Sequence, residues 1–182
     1  MSGKLVFYHG TVCSSKTMTL LAMANNYEAC GRTVCAIKPS IDTRSEMIVT
    51  RAGLPPRKAD IVLKPNESLS AYNDIIRVAN IVFVDECQFL TVAHVEELRN
   101  ITIKNNIDVL CFGLRTDFNT HLFEASKRMF ELADEFIEVK SICGVCGEQA
   151  GFNIKVGTKR TDGVFLPSWN EFEGRCFKHY HG

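Results

Sequence analysis

The segment Ile81–Phe89, which reads IVFVDECQF, indicates the fold class of this chain. Its first four residues are apolar without polar alternation, which is typical of a strand buried on both faces of a parallel sheet. Two adjacent acids, Asp85 and Glu86, follow at the carboxyl end of this strand. Open parallel α/β sheets bind their ligands at that end of the strands. We therefore predict an α/β protein with a ligand site beside these two carboxylates.

A second motif lies upstream, where the apolar run Leu5–Tyr8 leads into Gly10–Thr17, GTVCSSKT. A loop between a strand and a helix can bind phosphate, because its backbone N–H groups point at the phosphate oxygens. In such loops the lysine reaches the β- and γ-phosphates, and the hydroxyl that follows it coordinates Mg²⁺. The predicted nucleotide-binding residues of this loop are Gly10, Ser14, Ser15, Lys16 and Thr17.

The loop departs from the pattern G-x-x-x-x-G-K-[ST] at Ser15, which stands in the place of a glycine. If this position requires a left-handed backbone, serine costs about 1–2 kcal/mol there. An ordinary strand-turn-helix with a serine-rich cap is the alternative interpretation. If the loop has adapted and the Ser15 hydroxyl donates to phosphate, Ser15→Gly weakens ATP binding; in a crowded loop the same change tightens it. The intact Lys16 and Thr17 favour an adapted loop.

Asp85 and Glu86 suit complementary tasks in a nucleotide site. Asp85 can hold Mg²⁺ through water, and Glu86, expected on the other side of the strand, can take a proton from a substrate hydroxyl. An N-cap pair for the following helix is the structural alternative. Together with the phosphate loop, the two acids predict an enzyme that uses a nucleotide and Mg²⁺.

Length and charge exclude several classes of protein. The 182 residues suffice for one full core and a small appendage. Lys plus Arg and Asp plus Glu both total 21, so nothing supports broad electrostatic binding to nucleic acid. No apolar run approaches the roughly 20 residues needed to cross a bilayer, and the N-terminus lacks the pattern of a signal peptide. We expect a cytoplasmic protein with no nucleic-acid or membrane partner.

Strand-like and helical patterns alternate along the first 140 residues, which predicts a parallel sheet covered by helices. Gly31 follows the first helix at a C-cap position, Ser68 lies at the start of the second, and Thr91 is the N-cap of the third. The apolar stripe of the fourth helix extends to Phe136. The predicted strands are 4–9, 33–38, 81–85 and 108–113, and the predicted helices are 16–30, 67–78, 91–104 and 122–134.

A domain boundary is predicted near Lys140, between a nucleotide-binding domain, 1–140, and a small subdomain, 141–182. The second region is rich in glycine and poor in apolar residues, and units this small usually need a metal or disulfides. Its three thiols and one imidazole would fill a tetrahedral, structural zinc site, with ligands Cys143, Cys146, Cys176 and His179. His181 could replace His179, and a redox pair of Cys143 and Cys146 is the alternative.

Four other cysteines lie inside or beside apolar runs, and they are Cys30, Cys35, Cys87 and Cys111. A cysteine in such surroundings behaves as a small buried apolar residue. We expect these four to be buried, reduced thiols rather than parts of a disulfide framework.

Taken in order, these motifs resemble the cytosolic, zinc-containing thymidine kinases over nearly the whole chain. The matching segments are Ile37–Pro39, Asp42–Arg44, Thr50–Gly53, Asp85–Leu90, Gly113–Phe118, Leu122–Lys127 and Cys176–Tyr180. The resemblance implies a P-loop sheet domain, with a zinc-stapled subdomain that carries a lasso-like lid over about residues 153–170. It implies transfer of the γ-phosphoryl group of ATP to the 5′-hydroxyl of thymidine or deoxyuridine, by a homotetramer.

The resemblance also implies site residues. It makes Glu86 the general base and places Asp42 and Arg44 near the transferred phosphate, where a cation offsets the charge on the phosphoryl oxygens. In the family the nucleoside is surrounded by residues that match Phe89, Leu114, Phe118, Phe123 and Phe172.

Two departures from the family pattern affect the substrate side. Val12 stands where a methionine often bounds the base, and Pro167–Phe172 replaces a segment that usually has two glycines and a tyrosine. These changes predict a reshaped lid and favour altered base choice. A kinase-like scaffold that binds nucleotide or a protein without turnover is the alternative function. A DNA-translocating ATPase is disfavoured, because the chain has no second ATPase motif set and no basic face.

Overall fold

The computed structural model of the chain describes residues 2–41, 46–156 and 171–181. Asp42 and Arg44 lie outside the described residues. So does most of the expected lid, including Trp169.

Six parallel strands form the central sheet. They are β1 (Leu5–Gly10), β2 (Val34–Pro39), β5 (Ile61–Leu63), β6 (Ile81–Val84), β7 (Asp108–Leu114) and β8 (Glu135–Glu138). Their order is β5-β2-β6-β7-β1-β8, so β7 lies between β1 and β6. The loops that leave β1 and β6 therefore emerge at the same edge of the sheet, separated by one strand.

Helices cover both faces of this sheet. The longer ones are α1 (Lys16–Ala29), α3 (Val92–Lys104) and α4 (Glu124–Leu132), and a single turn forms α2 (Asn73–Ile76). On one face Val82 and Val84 pack in a core with residues of α3 and α4. On the other face Phe83 packs with Leu20 of α1. Burial on both faces explains the continuous apolar run of β6 and confirms the predicted fold class.

Three two-stranded ribbons complete the described structure. They are β3 (Met47–Ile48) with β4 (Arg57–Lys58), β9 (Ser141–Ile142) with β10 (Gln149–Ala150), and β11 (Phe152–Lys155) with β12 (Phe172–Arg175). The last two ribbons and α5 (Phe177–His181) make up the C-terminal segment, which we define as residues 141–156 and 171–181.

The predicted helix over 67–78 is wrong in extent. A 3-10 turn, Leu69–Tyr72, precedes α2, and the Ser68 hydroxyl accepts a hydrogen bond from the Ser70 N–H. Serine side chains that bond nearby backbone groups favour turns over longer helices. The Thr91 prediction is confirmed, because its hydroxyl accepts a hydrogen bond from the His94 N–H at the start of α3.

Two predictions about single residues are wrong. Phe136 lies in the edge strand β8 rather than in α4, with 47% of its surface exposed. The helix ends before it because the Asp134 carboxylate accepts a hydrogen bond from the Leu5 N–H, which directs the following residues alongside β1. Cys30 is exposed, since it lies at the end of α1, whereas the other three thiols of that group are buried.

Candidate functional site

The predicted phosphate loop connects the end of β1 to the start of α1. Two of its non-glycine residues have left-handed backbones, with φ values of 60° at Cys13 and 65° at Ser15. Left-handed residues bend a short loop so that successive N–H groups can form a concavity for an anion. Ser15 is exposed, and its side chain makes no cap hydrogen bond to α1.

Lys16 reaches back across this loop. Its Nζ donates to the Thr11 carbonyl oxygen at 2.6 Å and to the Ser14 Oγ at 3.0 Å. Desolvation lowers the pKa of Lys16, and the negative charges of Glu86 and Asp85 act in the opposite direction. The ammonium therefore lies inside the loop and within electrostatic reach of both acids.

Thr17 and Asp85 bring the loop and the acid pair together. The Thr17 hydroxyl donates to the two carboxylate oxygens of Asp85, at 3.1 and 3.4 Å. Asp85 is buried, and its pKa is raised by desolvation and by the charge of Glu86. A hydroxyl and a carboxylate side by side supply hard oxygen donors, which is the ligand type that Mg²⁺ prefers. These two residues fit a Mg²⁺ ion.

Glu86 has a left-handed backbone, with φ of 49°, and a fixed side chain. Its Oε2 accepts a hydrogen bond of 2.6 Å from the Nε2 of Gln88, and the Gln88 Oε1 accepts one of 3.0 Å from the Leu114 N–H. Only 3% of the Gln88 surface is exposed. Glu86 occupies the N-cap position of a 3-10 turn, Cys87–Phe89, but its side chain makes no cap hydrogen bond there, and Thr91 rather than the acid pair caps α3. Glu86 is therefore held by its neighbours at the carboxyl end of the strands, which is where open parallel sheets bind their ligands.

Gly113 has no side chain, and this leaves the space that the side chain of Gln88 occupies. A Cβ at this position would lie 2.7 Å from the Gln88 Oε1 and 2.6 Å from the Cys87 Sγ. Gly113 belongs to β7, the strand between β1 and β6. The side chain that fixes Glu86 therefore depends on a glycine in the neighbouring strand.

The apolar residues implied for the nucleoside form two ring pairs. Phe89 and Phe123 meet edge to face, with centroids 5.9 Å apart. Phe118 and Phe172 are tilted, also with centroids 5.9 Å apart. Phe89 is 37% exposed and Phe118 is 41% exposed. Exposed rings near the acid pair offer faces on which a planar base can stack. Leu114, at the end of β7, donates its N–H to Gln88.

The C-terminal segment brings together the four predicted zinc ligands. The ligand atoms of Cys143, Cys146, Cys176 and His179 all lie within 4.8 Å of one another. The Sγ atoms of Cys146 and Cys176 are 3.7 Å apart, and the His179 Nδ1 is 3.7 and 3.3 Å from the Sγ atoms of Cys143 and Cys176. The edges of a tetrahedral zinc site measure about 3.8 Å between sulfurs and about 3.6 Å from sulfur to nitrogen. The cluster therefore fits Zn²⁺.

The Cys143 thiol has the chemistry of a metal ligand, whereas the pKa of Cys146 is raised, because the hydrogen bond from the Glu148 N–H, which lowers it, is outweighed by desolvation and by hydrogen bonds to Cys176 and Cys143. All three thiols are free, and no disulfide joins Cys143 to Cys146, as it would in an oxidised redox pair. Desolvation raises the pKa of Cys143, but hydrogen bonds from the backbone N–H groups of Cys176, Val145 and Cys146 lower it by more. A lowered pKa favours the thiolate, which is the form that binds zinc.

Comparison with known proteins identifies the family. A family model described as thymidine kinase matches residues 3–180 of this chain. The chain belongs to the thymidine kinase family. The resemblance found in the sequence motifs is thereby confirmed.

Several thymidine kinases align with almost the whole chain. The thymidine kinase of Enterobacteria phage T4 is 34% identical, over 97% of this chain and 95% of the phage protein. That of Streptococcus agalactiae is 30% identical, over 97% and 96% of the two chains. That of Shouchella clausii is 37% identical, over 84% of this chain and 80% of its own.

Two residues contact the site although they are not among the site residues predicted from the sequence. Gln88 lies in the quoted motif, and its place two residues after Glu86 is a signal that could have been used. Asn153 contacts the phosphate loop from the C-terminal segment. Neither its neighbours in sequence nor its spacing points to that contact. In the part of the chain that the structure describes, no helix combines the length and apolar character that crossing a bilayer requires.

Proposed function

We propose that this thymidine kinase transfers the γ-phosphoryl group of ATP to the 5′-hydroxyl of thymidine or deoxyuridine. The observation that carries the proposal is the contact between the phosphate loop and the acid pair, where Thr17 bonds Asp85 beside a fixed Glu86. A coupled assay of ADP release with a panel of deoxynucleosides tests it. Release only with thymidine and deoxyuridine is expected, and release with no nucleoside of the panel would contradict it.

In the proposed reaction Glu86 accepts the proton of the 5′-hydroxyl as that oxygen attacks the γ-phosphorus. Lys16 and the loop N–H groups offset the negative charge of the phosphates. Asp42 and Arg44, which lie outside the described residues, are proposed to act near the transferred group. Thr17 and Asp85 would hold Mg²⁺, which neutralises phosphate charge when it is bound.

The nucleoside is proposed to lie against the two ring pairs. Phe89, three residues after Glu86, meets Phe123, and Phe118, in the loop after β7, meets Phe172 of β12. Leu114 contacts Gln88 and is proposed to bound the base. No observation favours the alternative of a scaffold without turnover, and the ADP assay separates it from a kinase.

Four broader features of the protein are proposals as well. They are a homotetramer, a cytoplasmic location, the absence of a nucleic-acid partner, and the division into a nucleotide-binding domain, 1–140, and a zinc-binding subdomain, 141–182. Light scattering tests the tetramer, and limited proteolysis near Lys140 tests the boundary.

Replacement of Ser15 by glycine is expected to weaken binding of Mg²⁺-ATP about 5-fold. The exposed hydroxyl makes no cap bond and can donate to a phosphate, and one hydrogen bond contributes about 1 kcal/mol. The left-handed backbone at Ser15 belongs to the folded loop, so its relief is expected to change stability more than affinity. Titration calorimetry with Mg²⁺-ATP measures the change.

Ser15→Ala is the matched control for this experiment, because alanine loses the hydroxyl but keeps the Cβ. The difference between the alanine and glycine variants then reports the backbone contribution. Tighter binding and faster turnover in Ser15→Gly would show that the hydroxyl is not used and that serine crowds the phosphates.

Replacement of Gln88 by methionine is expected to lower kcat about 10-fold or more, with little change in KM for ATP. Methionine has a similar size but cannot donate to Glu86 or accept from Leu114, so the base loses its fixed position. Steady-state kinetics separate the two parameters. Gln88→Glu keeps the acceptor for the Leu114 N–H but places a second carboxylate against Glu86, so at least as large a loss of kcat is expected from it.

A double mutant separates positioning from simple damage to the fold. If Gln88 acts through Glu86, Gln88→Met should change kcat little in a Glu86→Gln background. Equal losses in both backgrounds would show that Gln88 does not act by positioning the base.

A further inference from the structure

Asn153 bridges two loops that serve different substrates. Its Oδ1 accepts a hydrogen bond of 2.8 Å from the Val12 N–H in the phosphate loop. Its Nδ2 donates a hydrogen bond of 2.9 Å to the Thr116 carbonyl oxygen, in the loop that carries Phe118. The side chain is only 4% exposed. One buried amide therefore touches both the proposed ATP site and the proposed nucleoside site.

The orientation of this amide is fixed by its partners. The backbone N–H of Val12 can only donate, and the carbonyl of Thr116 can only accept. A flipped amide would place two donors together at one partner and two acceptors at the other. Both the oxygen and the nitrogen of the Asn153 amide are therefore used, and a flipped amide would lose both hydrogen bonds.

Further contacts hold both loops against the C-terminal segment. The hydroxyls of Thr11 and Ser141 lie 2.5 Å apart, and the Tyr180 hydroxyl donates to the Phe118 carbonyl oxygen at 2.9 Å. Asn153 pairs with Gly174 in the ribbon of β11 and β12. A Cβ on Gly174 would lie 3.0 Å from the Thr11 Oγ1, so this ribbon packs closely on the phosphate loop.

A small gap lies at this junction, beside the buried Asn153 amide. Gly10, Thr11, Thr116 and Asn153 are among the residues that line it. Side chains of a packed core would transmit movement between the loops by steric contact. Across this gap the hydrogen-bonded side chain of Asn153 carries more of that coupling.

We propose that Asn153 is a positioning residue that couples the two substrates, so that nucleoside bound beside Phe118 strengthens nucleotide binding at the phosphate loop. The coupling is reciprocal, because linkage requires each ligand to change the affinity of the other by the same factor. This inference rests on the proposed function for the identity of the two ligands. It adds a residue that need not touch either ligand and that sets how strongly they cooperate.

The test measures binding rather than turnover. A non-hydrolysable ATP analogue with Mg²⁺ is titrated by calorimetry with and without saturating thymidine. In the unaltered protein thymidine is expected to tighten analogue binding about 5-fold, the scale of one hydrogen bond. In Asn153→Leu, which keeps the size but removes both bonds, analogue binding should weaken by about the same factor, and the effect of thymidine should vanish.

Asn153→Asp separates the two halves of the bridge. Aspartate can still accept from the Val12 N–H, but it presents an oxygen to the Thr116 carbonyl. Analogue affinity without thymidine should fall, because aspartate adds a negative charge beside the phosphate loop, and the effect of thymidine should be lost as well. Hydrogen exchange of the Val12 amide gives a direct readout, because it should accelerate in Asn153→Leu and not in Asn153→Asp.

Asn80→Leu is the matched control. Asn80 also accepts a hydrogen bond of 2.8 Å from a backbone N–H, that of Thr33, but it is exposed and lies just before β6, at the amino ends of the strands. This variant should keep the full effect of thymidine. Zinc content and thermal unfolding of each variant show whether the fold is intact.

The possible results distinguish failure of the coupling through Asn153 from failure of the proposed function. The coupling inference is overturned if thymidine does not change analogue affinity in the unaltered protein, or if Asn153→Leu keeps the full effect. Failure of the proposed function has a different signature, namely no thymidine binding by the unaltered protein, and that result would overturn both. Loss of the effect in both Asn153 variants but not in Asn80→Leu supports the coupling.

Discussion

Glu86→Gln is expected to reduce turnover by about 10²- to 10⁴-fold, the usual contribution of a positioned general base. Glutamine has the shape of glutamate but cannot accept the proton of the attacking hydroxyl. Binding of Mg²⁺-ATP should be nearly unchanged, because Lys16, Thr17 and Asp85 remain in place. Single-turnover kinetics measure the chemical step, and calorimetry measures the binding.

Glu131→Gln is a matched control for this prediction. Glu131 is exposed on α4 and pairs with Arg128 at 2.7 Å, an ion pair of the kind that contributes little in water. This variant should turn over at the original rate. An unchanged rate of phosphoryl transfer in Glu86→Gln would remove Glu86 from the proposed role.

Removal of zinc is expected to abolish thymidine binding before the sheet domain unfolds. A structural zinc site supplies about 10–16 kcal/mol of binding free energy in small domains, and the C-terminal segment has few buried apolar residues to replace it. The sheet has its own cores on both faces. Elemental analysis of freshly purified protein should find one zinc per chain, and thymidine titration before and after chelation measures the loss.

Two cysteine variants distinguish the metal site from general loss of a thiol. Cys176→Ser should lower zinc content and thymidine affinity together, whereas Cys30→Ser should change neither, because Cys30 is exposed at the end of α1. Hydrogen exchange at Val82 and Val109 should stay slow in both variants, since these residues are fully buried in the sheet. Fresh protein without zinc, or with disulfides among these ligands, would contradict the prediction.

The sheet could be predicted where its strands are buried on both faces. The runs around Phe7, Phe83 and Phe112 are apolar at successive positions, and only strands covered on both sides require that pattern. The strands β5 and β8 carry weaker signals. β5 has three residues, and β8 is an edge strand with exposed Glu135 and Phe136. Their places depend on pairing with β2 and β1 rather than on local composition.

The candidate site, like the sheet, could be predicted only in part from the sequence. The phosphate loop and the acid pair are contiguous motifs whose chemistry is visible in the order of residues, so Lys16, Thr17, Asp85 and Glu86 could be selected from sequence. Nothing local to Asn153 shows its contacts, because Val12 and Thr116 lie 141 and 37 residues away along the chain. Such bridges become visible only when the topology brings distant segments together.

The left-handed backbone of Glu86 relates the stability of this chain to its proposed catalysis. A residue other than glycine costs about 1–2 kcal/mol in that conformation, so glycine is the more stable choice at position 86. The strained backbone at Glu86 agrees with the proposed role of its carboxylate, because strained positions concentrate at functional sites.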